Sequence, residues 1–345
     1  MNQNDGFSVN HRHKEPEEQI NGTCCYISVV VPVYNEKDNI GELYSRIHDS
    51  LEQLGKTWEI IFIDDGSNDG SCAEMEQIAT ENLHVRLIVF RRNYGQTAAL
   101  AAGFKYAKGE VIIPMDADLQ NDPADIPLLL ERIENGADVV SGWRKNRKED
   151  VLKRRIPSMV ANRIINYLIS GTGVYLHDYG CTLKAYRKGV LRNIKLYGEM
   201  HRFIPAFAAW LGVWVEEVEV RHHKRTSGHS KYGLSRISNV LFDFIIVRFF
   251  ADYMTKPIQF FGKIAMFSTS AGMLLSVLLA AGKFILGWDI GINSFLLIFL
   301  FTVILGVQCV TIGLLGEIHI RNYFEILDKD PYVIRNIVEK KVPQG

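Results

Sequence analysis

The stretch Ile112–Gln120, with the sequence IIPMDADLQ, ends an apolar run abruptly in two carboxylates and a side-chain amide. In an extended segment residues i and i+2 point to the same side, so Asp116 and Asp118 are expected to converge just past the end of a strand. Two close carboxylates repel each other and require a nearby cation, and hard oxygen ligands suit Mg²⁺ or Mn²⁺. A solvated Asp-rich turn is the alternative interpretation of so short a pattern.

Strand and helix patterns alternate around this stretch. The predicted strands are short, apolar and rich in β-branched residues: Ile27–Tyr34, Glu59–Ile63, Val85–Phe90, Val111–Met115 and Asp138–Ser141. Helical spacing fills the intervals, with one helix starting at Pro123, since proline is favourable in the first turn. This alternation predicts an α/β fold with a mostly parallel sheet covered on both faces. Every predicted strand ends in polar residues, and ligands bind at that edge of such sheets.

The composition excludes several classes of protein. Lys and Arg number 39 and so do Asp and Glu, which leaves no net charge that would indicate a nucleic-acid partner. The five cysteines are odd in number and lack metal-ligand spacing, which predicts a reducing compartment without a zinc site. No G-x-G-x-x-G follows the first strand and no P-loop occurs, so a dinucleotide or ATP site lacks its phosphate-binding loop.

The last third of the chain contains two long apolar segments. Ile264–Leu286 holds a single charged residue, Lys283, and Ser294–Leu315 holds none. Each is long enough to cross a hydrocarbon core of about 30 Å. We therefore predict two transmembrane helices.

The charges that flank these segments predict their orientation. Lys256 and Lys263 precede the first segment and Arg321 follows the second, whereas the connection Gly287–Asn293 has no basic residue. The positive-inside rule then places the α/β domain and both termini in the cytoplasm of a multi-pass inner (plasma) membrane protein.

The predicted organisation has five parts. A polar stretch at the start favours a disordered tail, and mixed aromatic and charged residues after the soluble part favour amphipathic helices in the headgroup region. The parts are a disordered tail over 1–25, an α/β domain over 26–232, interfacial helices over 233–260, a two-helix transmembrane anchor over 261–317 and a cytoplasmic C-terminal tail over 318–345.

Three motifs give a specific resemblance. Pro32–Glu36 (PVYNE), Asp64–Ser67 (DDGS) and Asp116–Gln120 (DADLQ), in this order, resemble the nucleotide-sugar-binding domain of family-2 inverting glycosyltransferases, which implies a GT-A-type fold. Asp178–Arg187 and Arg225–Tyr232 narrow the resemblance to polyprenyl-phosphate hexosyltransferases, similar to dolichyl-phosphate mannose synthase. The two-span bacterial bactoprenol glucosyltransferases are the branch that the chain resembles most.

The resemblance implies a donor site at the strand ends. Asp118 and Gln120 would ligate Mg²⁺ or Mn²⁺, and Asp116 would lie near the donor sugar. The alternative role of Tyr34 is to pack on the sheet, and the alternative role of Asp64 and Asp65 is to cap the N-terminus of a helix. The alternative interpretation of the 225–232 loop is a flexible linker. The residues expected to bind the nucleotide sugar are Pro32, Tyr34, Glu36, Asp64, Asp65, Asp116, Arg225 and Lys231.

The resemblance also implies an acceptor site for a lipid phosphate. Arg144, Arg154 and Ser158 lie in a basic run, and a guanidinium fork binds phosphate oxygens well. A solvated charged face is the alternative interpretation of this run. Asp178 is the carboxylate expected near the reacting centre. Its role stays open between a base and a positioning group, because a phosphate monoester with a second pKa around 6 scarcely needs deprotonation.

The predicted function is metal-dependent, inverting transfer of a hexose to undecaprenyl phosphate, with UDP-glucose as the expected donor. UDP-N-acetylglucosamine, UDP-galactose and GDP-mannose remain alternative donors, and a non-catalytic membrane assembly or lipid-binding protein is the alternative class. The expected partners are the nucleotide sugar, the polyprenyl lipid and the membrane, with a separate flippase downstream. Two spans give little membrane core, which favours self-association.

Overall fold

The computed structural model describes residues 19–20, 23–145, 174–192, 200–223 and 330–340, with single positions between 163 and 196 and between 267 and 319. The predicted interfacial helices and more than half of the positions of each predicted span lie outside the described residues. Among the described residues, no helix combines the length and the apolar character needed to cross a bilayer.

Parallel strands form the centre of the described part. Their residues are mainly apolar and β-branched, which suits an extended backbone, and almost all of them are buried, as expected for a sheet covered on both faces. After a short antiparallel pair, β1 (Gln19–Ile20) and β2 (Thr23–Cys24), the central strands are β3 (Ile27–Val33), β4 (Trp58–Asp64), β5 (Val85–Phe90) and β6 (Val111–Pro114).

Helices connect these strands and cover the sheet. They are α1 (Lys37–Glu52), α2 (Ser71–Glu81), α3 (Gln96–Tyr106) and, after a 3₁₀ turn over Pro123–Asp125, α4 (Ile126–Glu134). In α1 the buried apolar residues recur at helical spacing, at Ile40, Leu43, Ile47 and Leu51. Helix α3 packs closely on β3, because a Cβ added to Gly103 would lie only 2.2 Å from Val30 Cγ1.

The remaining elements extend the sheet at both edges. They are β7 (Val139–Trp143), β8 (Lys184–Arg187), α5 (Lys188–Arg192), a 3₁₀ turn over Met200–Phe203, α6 (Ile204–Trp210), β9 (Val215–Glu219) and β10 (Ile334–Glu339). The order across the sheet is β10-β5-β4-β3-β6-β8-β7-β9. Strand β8 runs antiparallel to β6 and β7, and β10 runs antiparallel to β5, whereas the other neighbouring pairs are parallel.

The five predicted strands and the helices between them are confirmed. Five strands were not predicted: the two-residue strands β1 and β2, which lie in the stretch predicted as a disordered tail, and β8, β9 and β10 of the main sheet. β8, β9 and β10 are short and rich in charged residues, with the sequences KAYR, VEEVE and IRNIVE. β9 and β10 lie at the two sheet edges, where one side of the strand meets solvent, so neither needs a continuous apolar run. The prediction of a mostly parallel sheet is thus right for the centre and misses the two antiparallel strands.

Strand β10 belongs to the stretch that the sequence assigns to the C-terminal tail. It pairs with β5 from Ile334 opposite Phe90 to Glu339 opposite Arg86. Lys105 and Asp330 form an ion pair at 2.7 Å that fixes the approach to this strand. Residues on both sides of the two apolar segments therefore share one sheet.

Candidate active site

The five predicted donor residues that precede β5 lie at the carboxyl ends of β3 and β4. Pro32 and Asp64 lie within the last two residues of their strands, and Tyr34, Glu36 and Asp65 follow directly. The strands are in register along their whole length, ending with Val33 opposite Asp64. Parallel strands with aligned ends bring the loops that follow them to one edge of the sheet.

The loops after β3 and β4 are tied together by hydrogen bonds. The Asn35 N–H donates to Ser67 Oγ at 3.0 Å, and the Asn68 N–H donates to Asn35 Oδ1 at 2.9 Å. Asn35 adopts a φ of 55°, in the left-handed region that asparagine tolerates better than most residues. Tyr34 and Glu36 therefore flank a turn whose backbone is fixed.

Asp65 connects the loop after β4 to the start of α3. Its two carboxylate oxygens accept the N–H groups of Tyr94 (2.7 Å) and Gly95 (2.9 Å). Burial raises the pKa of Asp65 above its ordinary value, although the two N–H groups act in the opposite direction. The loops approach so closely that a Cβ on Gly66 would lie 2.6 Å from the Arg92 carbonyl carbon. Asp65 thus ties the loop after β4 to the loop that leads into α3, and it is not an N-cap of that helix.

Asp116, the first carboxylate of the central motif, is held by two neutral donors. Gln96 Nε2 donates to Oδ1 at 2.8 Å, and Thr182 Oγ1 donates to Oδ2 at 2.5 Å. The two donors come from different elements, the first turn of α3 and the loop before β8. With one donor on each oxygen, the orientation of the carboxylate is fixed just beyond the end of β6.

The rest of the motif forms a tight turn beyond β6. Ala117 and Leu119 are buried in the core, whereas Asp116, Asp118 and Gln120 are half-buried, as expected for side chains that alternate between the core and the opposite side. Leu119 has a φ of 59°, which turns the chain, and the Gln120 N–H donates to Asp118 Oδ1 at 3.2 Å.

The oxygens of Asp118 and Gln120 fit a Mg²⁺ or Mn²⁺ site that is completed by a substrate. Among the described residues, no group of three or more His, Cys, Asp or Glu side chains is placed to hold a metal ion. Magnesium sites in enzymes commonly take one or two carboxylates, with substrate phosphates and water as the remaining ligands. The donor set therefore suits a metal that binds together with a diphosphate.

Arg144 and Asp178, which the sequence assigns to two different roles, form one ion pair. Arg144 Nε donates to Asp178 Oδ2 at 2.7 Å and Arg144 Nη2 donates to Oδ1 at 3.1 Å, a bidentate geometry. The Gly180 N–H also donates to Oδ1 at 3.2 Å. The side chains are only 13% and 3% exposed, so the pair is shielded from water.

Glu217 on β9 holds the segment that carries Asp178. Its carboxylate accepts the N–H groups of His177 (2.8 Å) and Asp178 (3.1 Å), and its Oε2 lies 2.7 Å from His177 Nδ1. The His177 ring stacks on Trp143 with centroids 4.3 Å apart. The backbone of Asp178 is thereby fixed from the edge of the sheet.

Four predicted site residues lie outside the described residues: Arg154, Ser158, Arg225 and Lys231. Sequence reasoning gave no role to three residues that the structure brings to the site, Gln96, Thr182 and Glu217. The sequence held a signal for Gln96, because it lies in the polar stretch that follows the third predicted strand. No signal existed for Glu217, because its strand was not predicted.

Comparisons with known proteins agree with this architecture. The family model "Glycosyl transferase family 2" matches residues 28–195. The dodecaprenyl-phosphate galacturonate synthase of Rhizobium johnstonii is 41% identical over 317 residues, which are 91% of this chain and 93% of that protein. The undecaprenyl-phosphate 4-deoxy-4-formamido-L-arabinose transferase of Shewanella sediminis is 35% identical over 322 residues, 93% of this chain and 95% of that protein.

Two solved structures share the fold. Glucosyl-3-phosphoglycerate synthase from Mycobacterium tuberculosis, crystallised with Mn²⁺, UDP and phosphoglyceric acid, aligns with a TM-score of 0.50 and 19% identity, covering 69% of this chain and 84% of that one. Mannosyl-3-phosphoglycerate synthase from Rubrobacter xylanophilus aligns with a TM-score of 0.51 and 16% identity, covering 65% and 74%. They confirm the GT-A-type α/β fold of the sheet domain. From the family match and the two relatives, we conclude that the chain belongs to the family-2 polyprenyl-phosphate glycosyltransferases.

Proposed function

We propose that this protein transfers a hexose, with UDP-glucose as the first candidate donor, to undecaprenyl or a similar polyprenyl phosphate with inversion at the sugar carbon. The observation that carries the proposal is that one loop, the segment before β8, contacts both the Asp116 carboxylate and the Arg144 guanidinium. Thr182 of that loop binds Asp116 on the donor side, and Asp178 of the same loop binds Arg144 on the acceptor side. The family and the names of the relatives indicate sugar transfer to a polyprenyl phosphate.

The donor would bind along the edge formed by β3, β4 and β6. Pro32, Tyr34, Glu36, Asp64 and Asp65 would contact the nucleotide, and Asp116 would contact the sugar. Asp118 and Gln120 would hold Mg²⁺ or Mn²⁺, which, when bound, neutralises the charge that develops on the departing diphosphate. Arg225 and Lys231 would add positive charge at the same diphosphate.

The acceptor phosphate would bind at Arg144, with Arg154 and Ser158 completing its site. One phosphate oxygen forms a bond with the anomeric carbon from the face opposite the diphosphate. The bond from that carbon to the diphosphate breaks, and its electron pair leaves with the nucleotide. With the phosphate as a dianion, no proton has to be removed.

Asp178 then acts as a positioning group. Both of its oxygens already accept hydrogen bonds from Arg144, which orients the guanidinium fork. An incoming phosphate competes for the same fork, because Arg binds phosphate and carboxylate with similar geometry. This arrangement favours the positioning role over the base for Asp178.

We also place the enzyme at the cytoplasmic face of the inner membrane, anchored by the two apolar segments and by interfacial helices over 233–260. The sheet supports this topology, since β3 to β9 precede the apolar segments and β10 follows them. A chain that leaves this sheet and returns to it must cross the bilayer an even number of times. Two spans satisfy that requirement.

A donor panel tests the proposal. Membranes that contain the full-length protein receive undecaprenyl phosphate, Mg²⁺ and one radiolabelled donor at a time, and label in the organic-extractable lipid is counted. The panel comprises UDP-glucose, UDP-N-acetylglucosamine, UDP-galactose and GDP-mannose, with UDP-galacturonate and UDP-4-deoxy-4-formamido-L-arabinose added because of the relatives' names.

The proposal predicts transfer from UDP-glucose that is lost in Asp118→Ala. Transfer from another donor alone would retain the reaction and replace the sugar. Nucleotide-sugar binding without any lipid product from any donor would refute the enzyme and support the non-catalytic alternative.

A further inference from the structure

Lys184 is a buried lysine that directly follows the loop before β8. That loop contacts Asp116 through Thr182 and Arg144 through Asp178. Lys184 is the first residue of β8 and is 3% exposed. Its ammonium donates to the carbonyl oxygens of Cys181 and of Tyr179, the latter at 3.2 Å. Among the described residues its hydrogen-bond partners are these two carbonyls, and it forms no ion pair with a carboxylate.

Such a position is costly for a lysine. Burial lowers the pKa of Lys184, and the nearby charges of Asp178 and Asp116 oppose this effect only in part. A buried charge is tolerated when it is hydrogen-bonded and balanced by opposite charge nearby. Asp178 and Asp116 supply that opposite charge near Lys184.

The two carbonyls lie inside the segment whose ends make the functional contacts. Asp178 at one end binds Arg144, and Thr182 near the other end donates to Asp116. The Tyr179 hydroxyl adds a hydrogen bond to Asn166 Oδ1 at 2.8 Å. Fixing the carbonyls in the middle of the segment fixes both end contacts together.

We infer that residues 178–184 form a rigid bridge between the donor side and the acceptor side, and that Lys184 is the positioning residue that holds it. The inference rests on the proposed function for what each side binds. Lys184 touches neither substrate and acts through Thr182 and Asp178. Thr182 is the second positioning residue, because its hydroxyl orients the Asp116 carboxylate.

Steady-state kinetics of full-length variants test the bridge. Lys184→Met is expected to raise KM for both the nucleotide sugar and the lipid phosphate, each about five- to tenfold, the effect of losing one oriented hydrogen bond. Thr182→Val, which removes only the hydroxyl, is expected to raise KM for the donor alone, and Thr182→Ser, which keeps the hydroxyl, is expected to behave as the wild type.

The double variant decides whether Lys184 acts through Thr182. Thr182→Val combined with Lys184→Met is expected to raise donor KM no further than Lys184→Met alone, because both break the same contact. Fully additive effects would overturn the inference. Lys188→Met is the matched control, since Lys188 follows the far end of β8 and donates to the Lys108 carbonyl away from the site.

Hydrogen exchange separates failure of the bridge from failure of the proposed function. In Lys184→Met, peptides over 177–186 are expected to exchange faster while those of β3 and β4 keep their rates. Uniformly faster exchange would show that Lys184 only supports the fold and would overturn the inference. This readout needs no sugar transfer, so an inactive wild type would refute the function and leave the bridge test intact.

Discussion

At the residue scale, the ion pair between Arg144 and Asp178 determines what the acceptor site can do. Removing one partner of a shielded pair leaves the other charge without compensation, which costs about 3 to 5 kcal/mol when the pair is fully buried. Arg144 is partly exposed, so the smaller value applies. Asp178 thus both stabilises the fold and orients the guanidinium of Arg144.

The pH dependence of kcat/KM distinguishes the two roles of Asp178. If the acceptor phosphate sets the acid side of the profile, activity falls as pH drops through about 6, where the phosphate gains a proton. Asp178→Asn is expected to lower the rate yet keep this acid limb at the same pH. Disappearance of the limb in Asp178→Asn would identify Asp178 as the base instead.

Asp69 gives a second residue-scale prediction, for stability. Burial acts to raise its pKa, but hydrogen bonds from the Ser71 hydroxyl and N–H and the Lys37 N–H outweigh it, so the pKa of Asp69 is lowered. A lowered carboxyl pKa contributes stability above the ordinary value near 3.9, which is lost as pH falls through the folded-state pKa.

Asp69→Ala is therefore expected to lower the melting temperature at pH 7, by the equivalent of about 1 kcal/mol. The difference from the wild type should shrink below pH 4 in full-length protein in detergent. Asp49→Ala is the control, because Asp49 is an exposed helix residue whose carboxylate is 69% accessible. A loss of stability in Asp69→Ala that is the same at both pH values would contradict the account.

The site residues were only partly predictable from the sequence. Asp116, Asp118 and Gln120 could be found because their signal is local, an apolar strand followed by alternating polar residues. The contact between Arg144 and Asp178 spans 34 residues and depends on β8 entering the sheet between β6 and β7. The motif identified both residues, but nothing local in the sequence indicates that they pair.

At the element scale, the close packing of α3 on β3 gives a direct test. Gly103→Ala places a methyl group 2.2 Å from Val30 Cγ1. Overpacking costs roughly 1 to 3 kcal/mol, which exceeds the gain of about 1 kcal/mol for alanine over glycine in a helix.

Gly103→Ala is therefore expected to lower the melting temperature. Val30→Ala should partly rescue it, so that the double variant is more stable than the sum of the two single effects. Simple additivity of the two changes would show that α3 does not contact β3 at this point. The matched control is Gly189→Ala, where a Cβ would meet no atom within 4 Å.

The fold was predictable where elements are buried and regular. β3 to β6 are apolar runs, and α1 shows a clear helical stripe, so burial leaves a pattern in the sequence. β9 and β10 leave no such pattern because they lie at the sheet edges. β8 begins with Lys184, which is buried, whereas a lysine is ordinarily predicted to be exposed to solvent.

At the scale of the whole molecule, the shared sheet makes a prediction about topology. Green fluorescent protein fused after residue 345 is expected to fluoresce, since it folds in the cytoplasm, and alkaline phosphatase inserted within 287–293 is expected to be active outside. Active alkaline phosphatase at the C-terminus would contradict the account, because β10 could then not pair with β5.

The central claim is that this site transfers a sugar to a lipid phosphate. It is tested most directly by asking whether transfer requires the phosphate of the acceptor lipid. The measurement compares undecaprenyl phosphate with undecaprenol, the same lipid without its phosphate, using membranes that contain wild-type protein or Arg144→Gln and the best radiolabelled donor. The account predicts labelled lipid with undecaprenyl phosphate only, and much less of it with Arg144→Gln. Equal labelling of both lipids, or labelling unaffected by Arg144→Gln, would contradict it.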